Sequence, residues 1–139
     1  IDSLKFENYM AKNMFVGEIT VLQGNMYGFI EPLEATSLGL YQSVCRQAWD
    51  CIFGIRSEDY CNSKMRTIMK ETETFLIWLY RYGSKFDTPF WNYAKSLPFN
   101  PDFRFNDICN DSYANYKTVS KDIYGQWHKY SFDVFKKYC

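Results

Sequence analysis

Side chains able to do chemistry are few and scattered in this sequence of 139 residues. His128 is the one histidine, so a serine–histidine–aspartate or cysteine–histidine nucleophile system would have to run through it. Trp127 and Tyr130 beside it read as packing residues, and no catalytic role is assigned to it. Acids occur in pairs, Glu58 with Asp59 and Glu71 with Glu73, but neither pair has a context that would set one carboxyl as acid and the other as base. Glu58 and Asp59 fall where a helix is expected to begin, and there negative charge simply complements the helix dipole. Neither a glycine-rich phosphate loop nor a calcium loop is present. The expectation is therefore a non-enzymatic chain with no catalytic, cofactor-binding or metal-binding residues.

Cysteines form the remaining constellation: Cys45, Cys51, Cys61, Cys109 and Cys139. Gaps of 5, 9 and 29 residues separate Cys45 from Cys51, Cys51 from Cys61, and Cys109 from Cys139, so no Cys-x-x-Cys pair offers a zinc or redox site. Five cysteines in a chain this short suit an oxidising, extracellular compartment. Disulfides are the expected use: Cys51 with Cys61 across a short turn, and Cys45 or Cys109 with Cys139. Asn110-Asp111-Ser112 matches the N-glycosylation acceptor pattern, which makes Asn110 a candidate. The chain begins at Ile1, which reads as a mature form with a signal peptide removed or as a trimmed chain.

The elements that would position these groups read as helices. A short segment from Ser3 to Phe15 comes first. Ile19, Leu22, Met26, Phe29 and Leu33 then share one face of a second, although Gly24 and Gly28 weaken it. Leu38, Tyr41, Cys45, Ala48 and Ile52 give a third, with Thr36 or Ser37 as cap and Gly54 as stop. The longest pattern follows Ser57 and runs through Cys61, Met65, Ile68, Thr72, Phe75, Leu79 and Tyr82. Asp87-Thr88-Pro89 opens a short helix through Trp91, Tyr93 and Ala94. A final stripe extends from Cys109 to Tyr138. The fold expected is all-α, a disulfide-stapled bundle of about five or six helices forming one domain over residues 1–139.

Charge and composition bear on partners. Sixteen basic and sixteen acidic residues cancel, so no bulk field draws the chain to nucleic acid. No run of apolar residues is long enough to span a membrane. Aromatic residues make up 20% of the sequence, more than a core of this size needs, and Phe99 and Phe103 on a proline-flanked loop are candidate anchors for a partner.

A short helical chain with few cysteines, here Cys45, Cys51, Cys61, Cys109 and Cys139 with one at the end, resembles the small secreted salivary proteins of blood-feeding insects. That resemblance implies a secreted protein that binds another protein, such as a host haemostatic or complement factor. The composition also suits a carrier of a small hydrophobic ligand between helices, or a helical cytokine-like signal.

Overall fold

The computed structural model describes residues 7–17, 20–30, 35–82, 85–101, 123–124 and 127–138. The chain divides into two compact units, residues 1–69 and 70–139.

The first unit opens with extended backbone, which aromatic and β-branched residues favour on a pleated surface. Four two-residue strands form, β1 (Tyr9–Met10), β2 (Phe15–Val16), β3 (Thr20–Val21) and β4 (Gly28–Phe29). β1 pairs antiparallel with β4, Tyr9 opposite Phe29, and β2 with β3, Phe15 opposite Val21. A single 3-10 turn over Gly24–Met26 precedes β4, and Gly24 sits at φ 58°, a conformation that an α-helix cannot contain. The helices expected over residues 3–15 and 19–33 are therefore absent wherever these segments are described. Their apparent stripe does not share a buried face: Met26 is exposed and Leu22 and Phe29 are half-buried, while Met14, Tyr27 and Ile30 enter the core.

Among the described residues of this unit, two helices follow the strands. α1 spans Thr36–Ile52 and buries Thr36, Leu40, Val44, Gln47 and Ala48. Of the expected stripe, Leu38, Cys45 and Ile52 face solvent instead. The row Thr36–Leu40–Val44–Ala48 has equally good helical spacing, and it is the row that meets the core. Neither Thr36 nor Ser37 caps α1; Ala35 does, in the left-handed region at φ 54° and with no side-chain hydrogen bond. α2 spans Glu58–Tyr82, and Ser57 Oγ accepts a hydrogen bond from the Tyr60 amide at 3.2 Å, as an N-cap should. Its first half buries Cys61, Met65 and Met69. Buried Asn62 accepts the Met14 amide through Oδ1 at 2.8 Å, and Arg66 donates to the Lys12 carbonyl at 3.1 Å, so polar bonds fix the strand region to α2.

In the second unit, the rest of α2 presents Phe75, Trp78 and Leu79 inward. α3 (Pro89–Ser96) has proline in its first turn and Thr88 as cap, whose side chain accepts from the Trp91 amide. β5 (Ile123–Tyr124) pairs antiparallel with β6 (Trp127–His128), and α4 follows at Lys129–Tyr138. Where it is described, the expected helical stripe from Cys109 to Tyr138 is thus a strand pair and one helix. Phe75 organises an aromatic core: it stacks on Trp127 at 4.3 Å between centroids and meets Phe132 edge-on at 4.9 Å. Ring pairs in these geometries add to the stabilisation from burial alone.

The all-α, disulfide-stapled bundle is therefore not the fold. Among the described residues there are four α-helices and three two-stranded antiparallel pairs, and Cys45, Cys51 and Cys61 are free thiols. No helix among them is long and apolar enough to cross a membrane.

Candidate functional site

The first unit carries a groove of about 330 Å³ along one face of α1 and α2. α1 supplies Ser43, Arg46, Gln47 and Asp50; Arg56 comes from the connecting turn; α2 supplies Tyr60, Lys64 and Ile68. Helical spacing explains the set, because residues three or four apart share a face: Ser43 with Gln47, Arg46 with Asp50, and Tyr60 with Lys64 and Ile68. The turn is set by Gly54 at φ 68°, and the Asp50 carbonyl accepts from the amides of Ile55 at 2.8 Å and Arg56 at 3.0 Å. These bonds close the end of α1 and bring Arg56 back over the groove. Its guanidinium lies 5.0 Å from the centroid of the Tyr60 ring, a cation–π contact.

Two features make the groove more than a crease between helices. Three cations line it against one carboxylate, and among the described residues none of Arg46, Arg56 or Lys64 is held in an ion pair. Gln47 is 7% exposed, and its Oε1 has no hydrogen-bond partner. A buried carbonyl oxygen left unpaired costs roughly 1–3 kcal/mol, and Gln47 bears that cost inside the protein.

The cysteines singled out by the sequence are not brought together as staples. Cys45 is exposed, and its sulfur accepts from Gln23 Nε2 at 3.0 Å. Cys51 and Cys61 do lie near one another, where the end of α1 faces the start of α2. Burial pushes the Cys61 thiol above its ordinary value, the neighbouring Cys51 and Asp50 push the same way, and Arg56 opposes them. Phe99 is half-buried against the end of α2, with the Tyr82 ring 6.3 Å away and the Arg81 guanidinium 5.9 Å away. Cys109, Cys139, Asn110 and Phe103 lie outside the described residues. No group of three or more histidine, cysteine or acidic side chains among the described residues is arranged to hold a metal.

The groove was missed in the sequence because Arg46, Asp50, Arg56 and Lys64 look like ordinary surface charge and its other residues like ordinary helix positions. The available signal was Gln47, a polar residue on the largely apolar buried face of α1, directly after Arg46 and three residues before Asp50.

A sequence profile of the tryptophan halogenase family matches residues 2–137. No curated protein and no solved structure matches the chain. The profile names an enzyme family, so it overturns the expectation of a non-enzymatic binding protein directed at a host factor, together with its hydrophobic-carrier and cytokine-like alternatives. The resemblance to salivary proteins falls with it, since that rested on cysteine number and helical content, and the structure has neither the staples nor the all-helical fold. With nearly its whole length matched, this chain belongs to the tryptophan halogenase family.

Proposed function

We infer that the protein takes part in halogenating the aromatic ring of tryptophan or a closely related indole. The observation that carries this reading is the family match over residues 2–137. Replacing a ring hydrogen by halogen means forming a carbon–halogen bond as the carbon–hydrogen bond breaks, with the proton leaving to a base. Halide itself is a nucleophile, so it must first lose an electron pair to an oxidant. Protein side chains do not perform that oxidation unaided, and the reading assigns it to a redox group or oxidant that works with the protein.

The test is to produce the intact protein in cells fed isotopically labelled tryptophan in bromide-containing medium, and to search extracts by mass spectrometry. A labelled indole carrying the paired-isotope signature of bromine, absent from cells without the protein, supports the reading. Labelled tryptophan that stays wholly unhalogenated, in cells where the protein is folded and abundant, counts against it.

A further inference from the structure

We propose that the outward face of α1, near its C-terminal end, is a surface on which a second copy of this chain docks antiparallel to form a weak two-fold dimer. The inference stands on that face alone and does not depend on the halogenation reading.

The face is apolar where a helix surface is ordinarily polar. Trp49, Ile52 and Phe53 in α1 and Ile55 in the turn after it are 60%, 67%, 61% and 57% exposed. Trp49 and Phe53 are four apart and so share a face, on the far side of α1 from buried Leu40 and Val44, and their rings lie 4.2 Å apart between centroids. Ile52 follows Trp49 by three positions, and Ile55 follows Ile52 by three. Single exposed apolar side chains need no explanation, but a contiguous group of this kind marks a docking surface.

The charges beside the patch select the occupant. Arg46 and Asp50 are one helical turn apart and border the patch on the same edge. They have opposite sign, yet among the described residues neither is held in an ion pair. Asp50 also falls in the last turn of α1, where negative charge opposes the helix dipole, so the helix itself gains nothing from it. A two-fold axis level with Ala48, midway between the two, sets each against its opposite on the second copy. Antiparallel pairing is required, because it brings the same edge of both helices together, as a self-complementary interface demands. The axis then passes close to Trp49. A lipid surface rich in phosphate would gain from Arg46 but be opposed by Asp50 and by exposed Glu58 and Asp59 at the start of α2, whereas a second copy matches both signs. The four apolar side chains offer roughly 400–500 Å² on each copy, so two copies bury about 1,000 Å², the size of a weak and reversible association.

Sedimentation equilibrium of the intact protein over about 1–100 μM tests this, with a dissociation constant expected inside that range. Trp49→Glu, at an exposed position, should leave a monomer throughout. Arg46→Asp and Asp50→Arg should each weaken self-association about tenfold by setting like charges together. Mixing the Arg46→Asp protein with the Asp50→Arg protein should restore association to within about threefold of the native dimer, since each then meets its opposite. A native protein that stays monomeric, an association indifferent to all three substitutions, or a mixture no tighter than its two components would each overturn the proposal. So would a monomer that instead co-sediments with anionic phospholipid vesicles, which would assign the patch to a membrane. Should Asp50→Arg fail to fold, as read by circular dichroism, the native concentration series with Trp49→Glu and Arg46→Asp still decides it.

Discussion

Gly28→Ala is expected to loosen the strand region from α2. A Cβ built on Gly28 would lie 2.9 Å from the Tyr9 carbonyl oxygen and 3.1 Å from Met69 Cε. The first neighbour is backbone of the paired strand and cannot yield without separating β1 from β4, whereas the second is the tip of a flexible side chain. In extended backbone with no obstruction, glycine to alanine would stabilise by about 0.5–1 kcal/mol through the unfolded chain. Forcing a methyl into a filled space costs about 1–3 kcal/mol. The net expectation is destabilisation by about 1–2 kcal/mol, read as a lower urea midpoint at unchanged slope. Pairing it with Met69→Ala isolates the methyl contact: the double variant should be more stable than the sum of the singles by about 0.5–1 kcal/mol, with the remaining loss belonging to the Tyr9 carbonyl. A Gly28→Ala protein as stable as the parent, or more so, would show that β1 and β4 do not approach as described.

Three other outcomes follow from particular residues. Ala35 holds φ 54° with no capping bond, so Ala35→Asn, which tolerates that backbone and can cap, should raise stability by about 1 kcal/mol in thermal melts; no gain would argue against the left-handed cap. Alkylation of the native protein without reductant should modify Cys45 first and Cys61, which is 0% exposed, only on unfolding, with Cys45, Cys51 and Cys61 all modified once denaturant is added; a disulfide-linked peptide joining any two of them would contradict the free thiols. Cys61 keeps its proton to higher pH when folded than when unfolded, because burial raises it from an ordinary 9.0. Its contribution is therefore complete below that value and is lost as pH rises through the folded value, and buried Tyr27, raised from 10.0, acts the same way at higher pH. Unfolding midpoints should fall across this alkaline range, and the fall should be shallower in Cys61→Val; an unchanged slope would remove Cys61 as its source.

How legible the fold was depended on how far each segment's local pattern agreed with its core. α2 was readable because its cap, Ser57, its apolar row from Cys61 to Leu79 and its length all point the same way. Thr88 and Pro89 announced α3 for the same reason. The first thirty residues misled because Ile19, Leu22, Met26 and Phe29 fall at helical spacing by coincidence, while the stronger local fact, the left-handed backbone at Gly24, is visible only in the folded chain. α1 was found but turned to the wrong face: two rows of similar content compete, and tertiary packing chose Thr36–Leu40–Val44–Ala48, with Gln47 buried beside it. The cysteines invited a disulfide framework by their number and by the short turn between Cys51 and Cys61, yet Cys45, Cys51 and Cys61 are all free thiols. The groove was hardly legible, since its cations come from two helices and a turn, and only the fold places Arg56 beside Arg46 and Lys64. Family membership was not read from any cluster of chemical side chains; it comes from the match across residues 2–137.

Halide exchange tests the central claim most directly. The intact protein is supplied with labelled tryptophan in parallel chloride and bromide media, and the indole products are resolved by mass. The account predicts a labelled product whose isotope pattern switches from the unequal doublet of chlorine to the near-equal pair of bromine as the halide is exchanged. Labelled tryptophan recovered without halogen in both media, from folded protein, would contradict it.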